Sequence, residues 1–76
     1  MDDQRIVSDP EVMLGKPCVR GTRLTVEYIL DALASGRSID DLLAGHGKLS
    51  REDVLAALAF AAESVRLDAV RPVASV

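Results

Sequence analysis

Leu14-Gly-Lys-Pro-Cys-Val-Arg-Gly-Thr-Arg-Leu-Thr-Val26 decides how this chain folds, because no other segment combines turn residues and cations so densely. Gly15 and Gly21 can take positive φ at little steric cost, and Pro17 fixes its own φ, so the backbone should turn sharply twice within a few residues, with Thr22 inside the second turn. Cys18-Val19 between the turns is long enough only for a short strand. Lys16, Arg20 and Arg23 then project from a rigidly held loop, which is how binding side chains are commonly presented. The alternative is that these cations pair with Asp2, Asp3, Asp9 and Glu11 on the other side of the turn.

Working outward toward the N-terminus, Met1 to Gln4 is polar and expected to fray. Arg5-Ile-Val-Ser8 reads as a short strand, and Asp9-Pro10-Glu11 as a turn in which Asp9 caps following amides. Val12 to Leu14 is either one helical turn or a strand, since periodicity does not separate the two. The expected pairing sets Ile6-Val7 against Cys18-Val19 as a small antiparallel ribbon. Such a ribbon is marginal alone and must lie on helices or pair with a second copy.

Working outward toward the C-terminus, Thr25 is a good N-cap and Glu27 suits a first helical turn. Val26, Ile29, Leu30 and Leu33 follow at the spacing of one buried face, and Gly36 ends the helix. Tyr28 lies off that stripe, as a rim residue. Ser38-Ile-Asp-Asp41 resembles a capping box, and Ile39, Leu42, Leu43 and His46 repeat the helical spacing until Gly45 and Gly47 interrupt it. Ser50-Arg-Glu-Asp53 opens a third helix expected to reach about Leu67, because Pro72 pushes Arg71 out of the helical region. Val54, Leu55, Leu58, Ala62 and Val65 are expected to form its buried face. Ala56, Ala57, Ala59, Phe60 and Ala61 leave its other sides apolar too, so a second copy or a partner protein should cover part of it.

The expected fold class is therefore mainly α: a short N-terminal β-ribbon followed by a three-helix, homeodomain-like helix-turn-helix bundle. Residues 1–66 form one domain and 67–76 a C-terminal tail. In the tail Leu67, Val70, Val73 and Val76 recur at every third position, a spacing that suits an extended strip able to order in a partner's groove, or that is coincidental.

Composition narrows the function. The chain has 76 residues, 49% hydrophobic and 28% charged, the balance of a globular protein. Its formal net charge of -3 disfavours tight nucleic-acid binding by a lone monomer, since that affinity derives largely from cations displacing counterions. Acidity concentrates on the helices, because residues 1 to 25 hold four cations and four acids, whereas five cations face eight acids thereafter. One cysteine excludes an internal disulfide framework, no signal-peptide pattern opens the chain, and the apolar run from Val54 to Ala62 is far short of the ~20 residues of a membrane span. A cytoplasmic location is expected. Cys18 and His46 are one thiol and one imidazole, expected to be buried and satisfied respectively. No metal-ligand spacing and no phosphate loop accompanies Gly15-Lys16. Asp40 and Asp41 are adjacent on a helix and point apart. An enzyme, a cofactor and a small-molecule substrate are not expected.

Gly15-Lys-Pro-Cys-Val-Arg-Gly-Thr-Arg-Leu-Thr-Val26, with Asp53-Val-Leu-Ala-Ala-Leu-Ala-Phe-Ala61 in the third helix, resembles the family catalogued as domain of unknown function 433. The family's hallmarks are Gly-Gly-Lys-Pro-x-x-x-Gly-Thr-Arg and a later Asp-x-x-x-Ala-Leu-x-Tyr-Ala, and the likeness covers roughly Ile6 to Glu63. Leu14 stands in place of the first glycine, Thr25 in place of a proline, His46-Gly47-Lys48 in place of Tyr-Pro, and Phe60 in place of tyrosine. What the resemblance implies is an antitoxin of a type II toxin–antitoxin pair that neutralises a PIN-like ribonuclease, with its own operator DNA as a second candidate ligand ranked below the protein partner. The expected partners are that ribonuclease, a second copy of the chain and operator DNA, with no membrane. Partner-binding candidates are Phe60, Arg66, Leu67, Val70, Arg71 and Val73. The alternative is a DNA-binding regulator without a toxin, using Lys16, Arg20, Arg23, Lys48 and Arg51, or a purely structural homodimer.

Overall fold

Short-range signals in the chain are met by short-range bonds in its computed structural model, which describes residues 4–67. Asp9 Oδ1 accepts from the Glu11 amide at 2.9 Å, and the Asp9 carbonyl accepts from the Val12 amide at 2.8 Å, closing the first turn. A single 3-10 turn over Met13–Gly15 follows, which resolves the choice left open by periodicity. Strand β1 (Ile6–Val7) pairs antiparallel with β2 (Cys18–Val19) in the expected register, Ile6 opposite Val19 and Val7 opposite Cys18.

The three helices are α1 (Val26–Ala34), α2 (Ile39–Gly45) and α3 (Arg51–Leu67). Each begins at a side-chain cap, which satisfies amides that the helix itself leaves without acceptors. Thr25 Oγ1 accepts from the Tyr28 amide at 2.9 Å. Ser38 and Asp41 form a reciprocal capping box, and Ser50 and Asp53 form another, with Ser50 N to Asp53 Oδ2 at 3.0 Å and Asp53 N to Ser50 Oγ at 3.1 Å. Helix α1 stops where Gly36 takes φ +103°, a conformation that costs glycine little.

Val19, Val26, Ile29, Ala32, Leu42, Leu49, Val54 and Ala57 make the core, with Ile6, Leu24, Leu30, Leu33, Ile39, Leu43 and Ala61 packed around it. Helix α1 packs chiefly on α3, and β1 lies against α3, so the ribbon is supported by a helix within its own chain. The expected buried face of α3 is only partly correct. Val54 and Ala57 are fully buried, but Leu55 and Val65 are 51% and 57% exposed and Leu58 and Ala62 also face solvent. The core takes the side of α3 that carries Val54, Ala57 and Ala61, where two alanines allow close approach of the neighbouring elements, and the bulkier leucines are left outside.

Asp53 ties the two parts together. Its carboxylate caps α3 through the Ser50 amide and also accepts from Arg5 Nη1 at 3.0 Å, next to β1. Burial is the largest single influence on its acidity and pushes it up. The Ser50 amide, the Arg5 guanidinium and the Ser50 hydroxyl together outweigh burial and hold it below the ordinary value of 3.8.

Asp53→Asn should cost about 1–3 kcal/mol at neutral pH, the scale for leaving one partner of a partly buried charged hydrogen bond behind. A carboxylate held below its ordinary value stabilises the fold above that value and loses the contribution as pH falls through it. Thermal melts across pH should therefore show the wild-type advantage over the variant shrinking below pH 3.8; a pH-independent gap would contradict the ion pair. Leu14 gives a second expectation. It holds φ +59° while 93% exposed, a left-handed backbone that costs a branched residue roughly 1–2 kcal/mol with no burial to offset it. Leu14→Gly should raise the melting temperature by a few degrees, a net gain of about 0.5–1 kcal/mol after glycine's own entropy cost.

Candidate functional site

The two turns of the opening stretch meet the α2–α3 connection and form a groove with a volume of 810 Å³ between them. One wall is Arg20-Gly-Thr-Arg-Leu24, and the other is Gly45-His-Gly-Lys48. Val7, Val12 and Cys18 supply apolar lining, and Asp9 is its one acid. The first wall is rigid for local reasons. Gly21 takes φ +81°, the Thr22 hydroxyl donates to the Val19 carbonyl at 2.9 Å and accepts from the Leu24 amide at 3.0 Å, and the Val19 amide donates to the Leu24 carbonyl at 2.9 Å. The Pro17 carbonyl accepts from the Val26 amide at 2.9 Å, which fixes the start of α1 relative to the loop. Gly15, at φ +85°, completes the preceding turn.

The second wall is held by aromatic contact. Tyr28 Oη and His46 Nε2 lie 3.1 Å apart, and the rings meet edge to face at 5.5 Å between centroids. The expected satisfied imidazole is thus found, with Tyr28 at the rim as its partner. The Leu49 amide donates to the His46 carbonyl at 3.0 Å, closing the turn into α3.

The five cations expected to contact DNA separate into two sets. Lys16 Nζ pairs with Glu27 Oε1 at 3.1 Å, and Arg51 pairs with Asp40. Neither cation lines the groove. Arg20, Arg23 and Lys48 do line it, and none of the three has an ion-pair partner among the described residues. The cross-turn pairing with Asp9 or Glu11 is therefore not formed, while Asp2 and Asp3 lie outside the described residues. Spacing alone could not reveal this grouping, because the two walls are more than twenty residues apart in sequence. Arg5 and Asp53 also escaped the sequence reading as a pair, for the same reason.

The partner-binding candidates are dispersed. Phe60 is exposed on α3, and Arg66 pairs with Glu63 one turn earlier. Leu67 is the last residue of α3, and Val70, Arg71 and Val73 lie outside the described residues. Cys18 is a buried thiol, 2% exposed, whose Sγ donates to the Lys16 carbonyl at 3.3 Å. Among the described residues there is no cluster of three or more metal-ligating side chains, no buried side-chain polar atom without a partner, and no helix long and apolar enough to cross a membrane. The groove's chemistry is therefore that of cationic and amide donors above apolar lining, an arrangement suited to holding an anion.

Comparison with known proteins places this architecture. A crystal structure at 2.00 Å of a DUF433 member protein from Anabaena variabilis ATCC 29413 superposes with a TM-score of 0.80 at 26% sequence identity. The match covers 86% of this chain and 64% of that one, so this chain accounts for less than two-thirds of that protein's length. No functionally curated protein matches this sequence significantly. The sequence pattern of the family described as a protein of unknown function, DUF433, matches residues 6–61. The chain belongs to the DUF433 family.

Proposed function

We propose that this protein is a non-enzymatic binding module, the antitoxin half of a type II toxin–antitoxin pair that neutralises a PIN-like ribonuclease, and that it acts as a homodimer. The observation that carries the binding role is the outer surface of α3. Leu55, Leu58 and Val65, with Ala62 between them, form a solvent-facing apolar stripe beside the buried side of that helix, and Phe60 is 38% exposed on another side. Contiguous exposed apolar side chains on a small domain mark an association surface more often than chance decoration. The toxin as partner is what the family resemblance implies, and the spare apolar surface supports association in general.

Operator binding ranks below protein binding. Two of the five cations that would grip phosphates are already engaged by Glu27 and Asp40, and Glu52 is exposed in the first turn of α3, where a recognition helix would face phosphates. The remaining cations lie in a concave groove.

Light scattering on a sizing column, of this protein alone and mixed with the product of the adjacent gene, tests the reading. A complex that abolishes ribonuclease activity is the expected result, and a neighbour that remains unbound and active would refute it. Leu55→Glu with Leu58→Glu places two charges on exposed positions, so the fold should persist while neutralisation weakens at least tenfold. Truncation after Leu67 separates the tail from the helix: undiminished neutralisation by the shortened chain would remove Val70, Arg71 and Val73 from the interface.

A further inference from the structure

The groove has more donors than its own chain uses. Arg20, Arg23 and Lys48 have no ion-pair partners among the described residues, and the backbone amides of Gly21, Arg23, Gly47 and Lys48 donate to no protein acceptor there. All four of those residues are exposed. Successive amides that lack acceptors form a concavity of positive partial charge, as at Gly47 and Lys48, whereas Gly21 and Arg23 flank Thr22, whose own amide donates to the Val19 carbonyl at 3.0 Å; cations beside such amides strengthen the attraction for an anion. The number of donors distinguishes among anions. A carboxylate offers two oxygens, whereas a phosphate ester offers three terminal oxygens that can be shared among three cations and several amides.

The rest of the groove specifies the remainder of the ligand. Val7, Val12, Cys18 and Leu24 provide apolar lining beside the cations. Asp9 would repel a phosphate placed next to it, but it has an acceptor oxygen to spare, because the Glu11 amide occupies Oδ1 alone. A ligand anionic at one end, flat and apolar in its body and carrying hydroxyl or amino donors satisfies all three features. The volume of 810 Å³ is within the ~300–1,000 Å³ typical of small-ligand sites.

We propose that this groove binds a mononucleotide-sized phosphate ester, with its phosphate held by Arg20, Arg23, Lys48 and the adjoining amides and its body over Val7, Val12 and Leu24. This site is independent of the antitoxin reading, since it uses neither the α3 stripe nor the tail. A long polyanion is disfavoured because the chain carries a net charge of -3, and the three unpaired cations that line the groove sit in one concavity without forming a track.

The test is an amide-resolved NMR titration of the full chain at physiological salt, with adenosine monophosphate, inorganic phosphate, a glutamate-rich peptide and a DNA duplex as separate probes. Adenosine monophosphate should shift the Gly21, Arg23, Gly47 and Lys48 amides saturably, at least tenfold more tightly than inorganic phosphate. Arg20→Gln with Arg23→Gln should weaken that binding at least tenfold at unchanged melting temperature. Lys48→Gln, on the opposite wall, should weaken it as well and serves if the double variant fails to fold. Absence of saturable shifts with the nucleotide overturns the proposal. Equal affinity for inorganic phosphate removes the role of the apolar lining and overturns it too. Tighter binding of the peptide or the duplex at the same amides assigns the groove to a macromolecule, and would likewise refute it.

Discussion

Asp53 is the residue on which the arrangement depends. One carboxylate closes the cap of α3 with Ser50 and reaches Arg5, adjacent to the ribbon, across 48 residues of sequence. A two-stranded ribbon of two residues each has little stability of its own. Its attachment is therefore electrostatic at one end and hydrophobic along its length, where Ile6 and Val19 join the helical core. The helix start and the ribbon are positioned by the two oxygens of one carboxylate, so neither can shift without disturbing the other. The glycine-turn loop inherits its position from both, since Arg20 donates its amide to the Arg5 carbonyl at 2.7 Å, and Val26 starts α1 from the Pro17 carbonyl.

Helix α3 divides its apolar residues between two tasks. Ala57 and Ala61 are placed inward, with Val54, where a close fit is needed, and the larger Leu55, Leu58 and Val65 are placed outward. A chain that needed only to fold would have little reason to expose them, since burying a leucine side chain is worth roughly 1.5–3 kcal/mol. Placing the bulkier residues outside leaves an apolar stripe on the domain's outer surface. The groove differs in character, with cations and amide donors beside an apolar lining, and it is built largely on loops instead of one helix face. Two chemically unlike surfaces on one small domain allow a ligand at one and a protein at the other without competition for the same side chains.

Local chemistry was legible in the sequence to the extent that the interactions are local. Thr25, Ser38 and Ser50 announce helix starts because capping acts within three residues, and Gly36 announces an end because it alone tolerates the backbone there. The ribbon register followed from the two turns that bracket Cys18-Val19. What escaped were interactions between distant segments: the meeting of Arg20 and Arg23 with Lys48, the bond between Tyr28 and His46, and the Arg5–Asp53 pair. The buried side of α3 was misjudged because that helix is apolar on several sides, and periodicity has little to discriminate when most positions satisfy it. The single 3-10 turn at Met13–Gly15 was one of two readings that periodicity left open, and residue type favoured neither. Its left-handed residues Met13 and Leu14 belong to types that seldom adopt that backbone.

Cys18 carries a practical consequence of its place in the ribbon. The thiol is sealed between the strand pair and the core, and it is the sole sulfhydryl in the chain. A thiol reagent can reach it only in molecules whose ribbon has lifted, so the rate of labelling counts those excursions directly. The protein thus contains its own clock for local opening, placed beneath the groove and readable without introducing any probe.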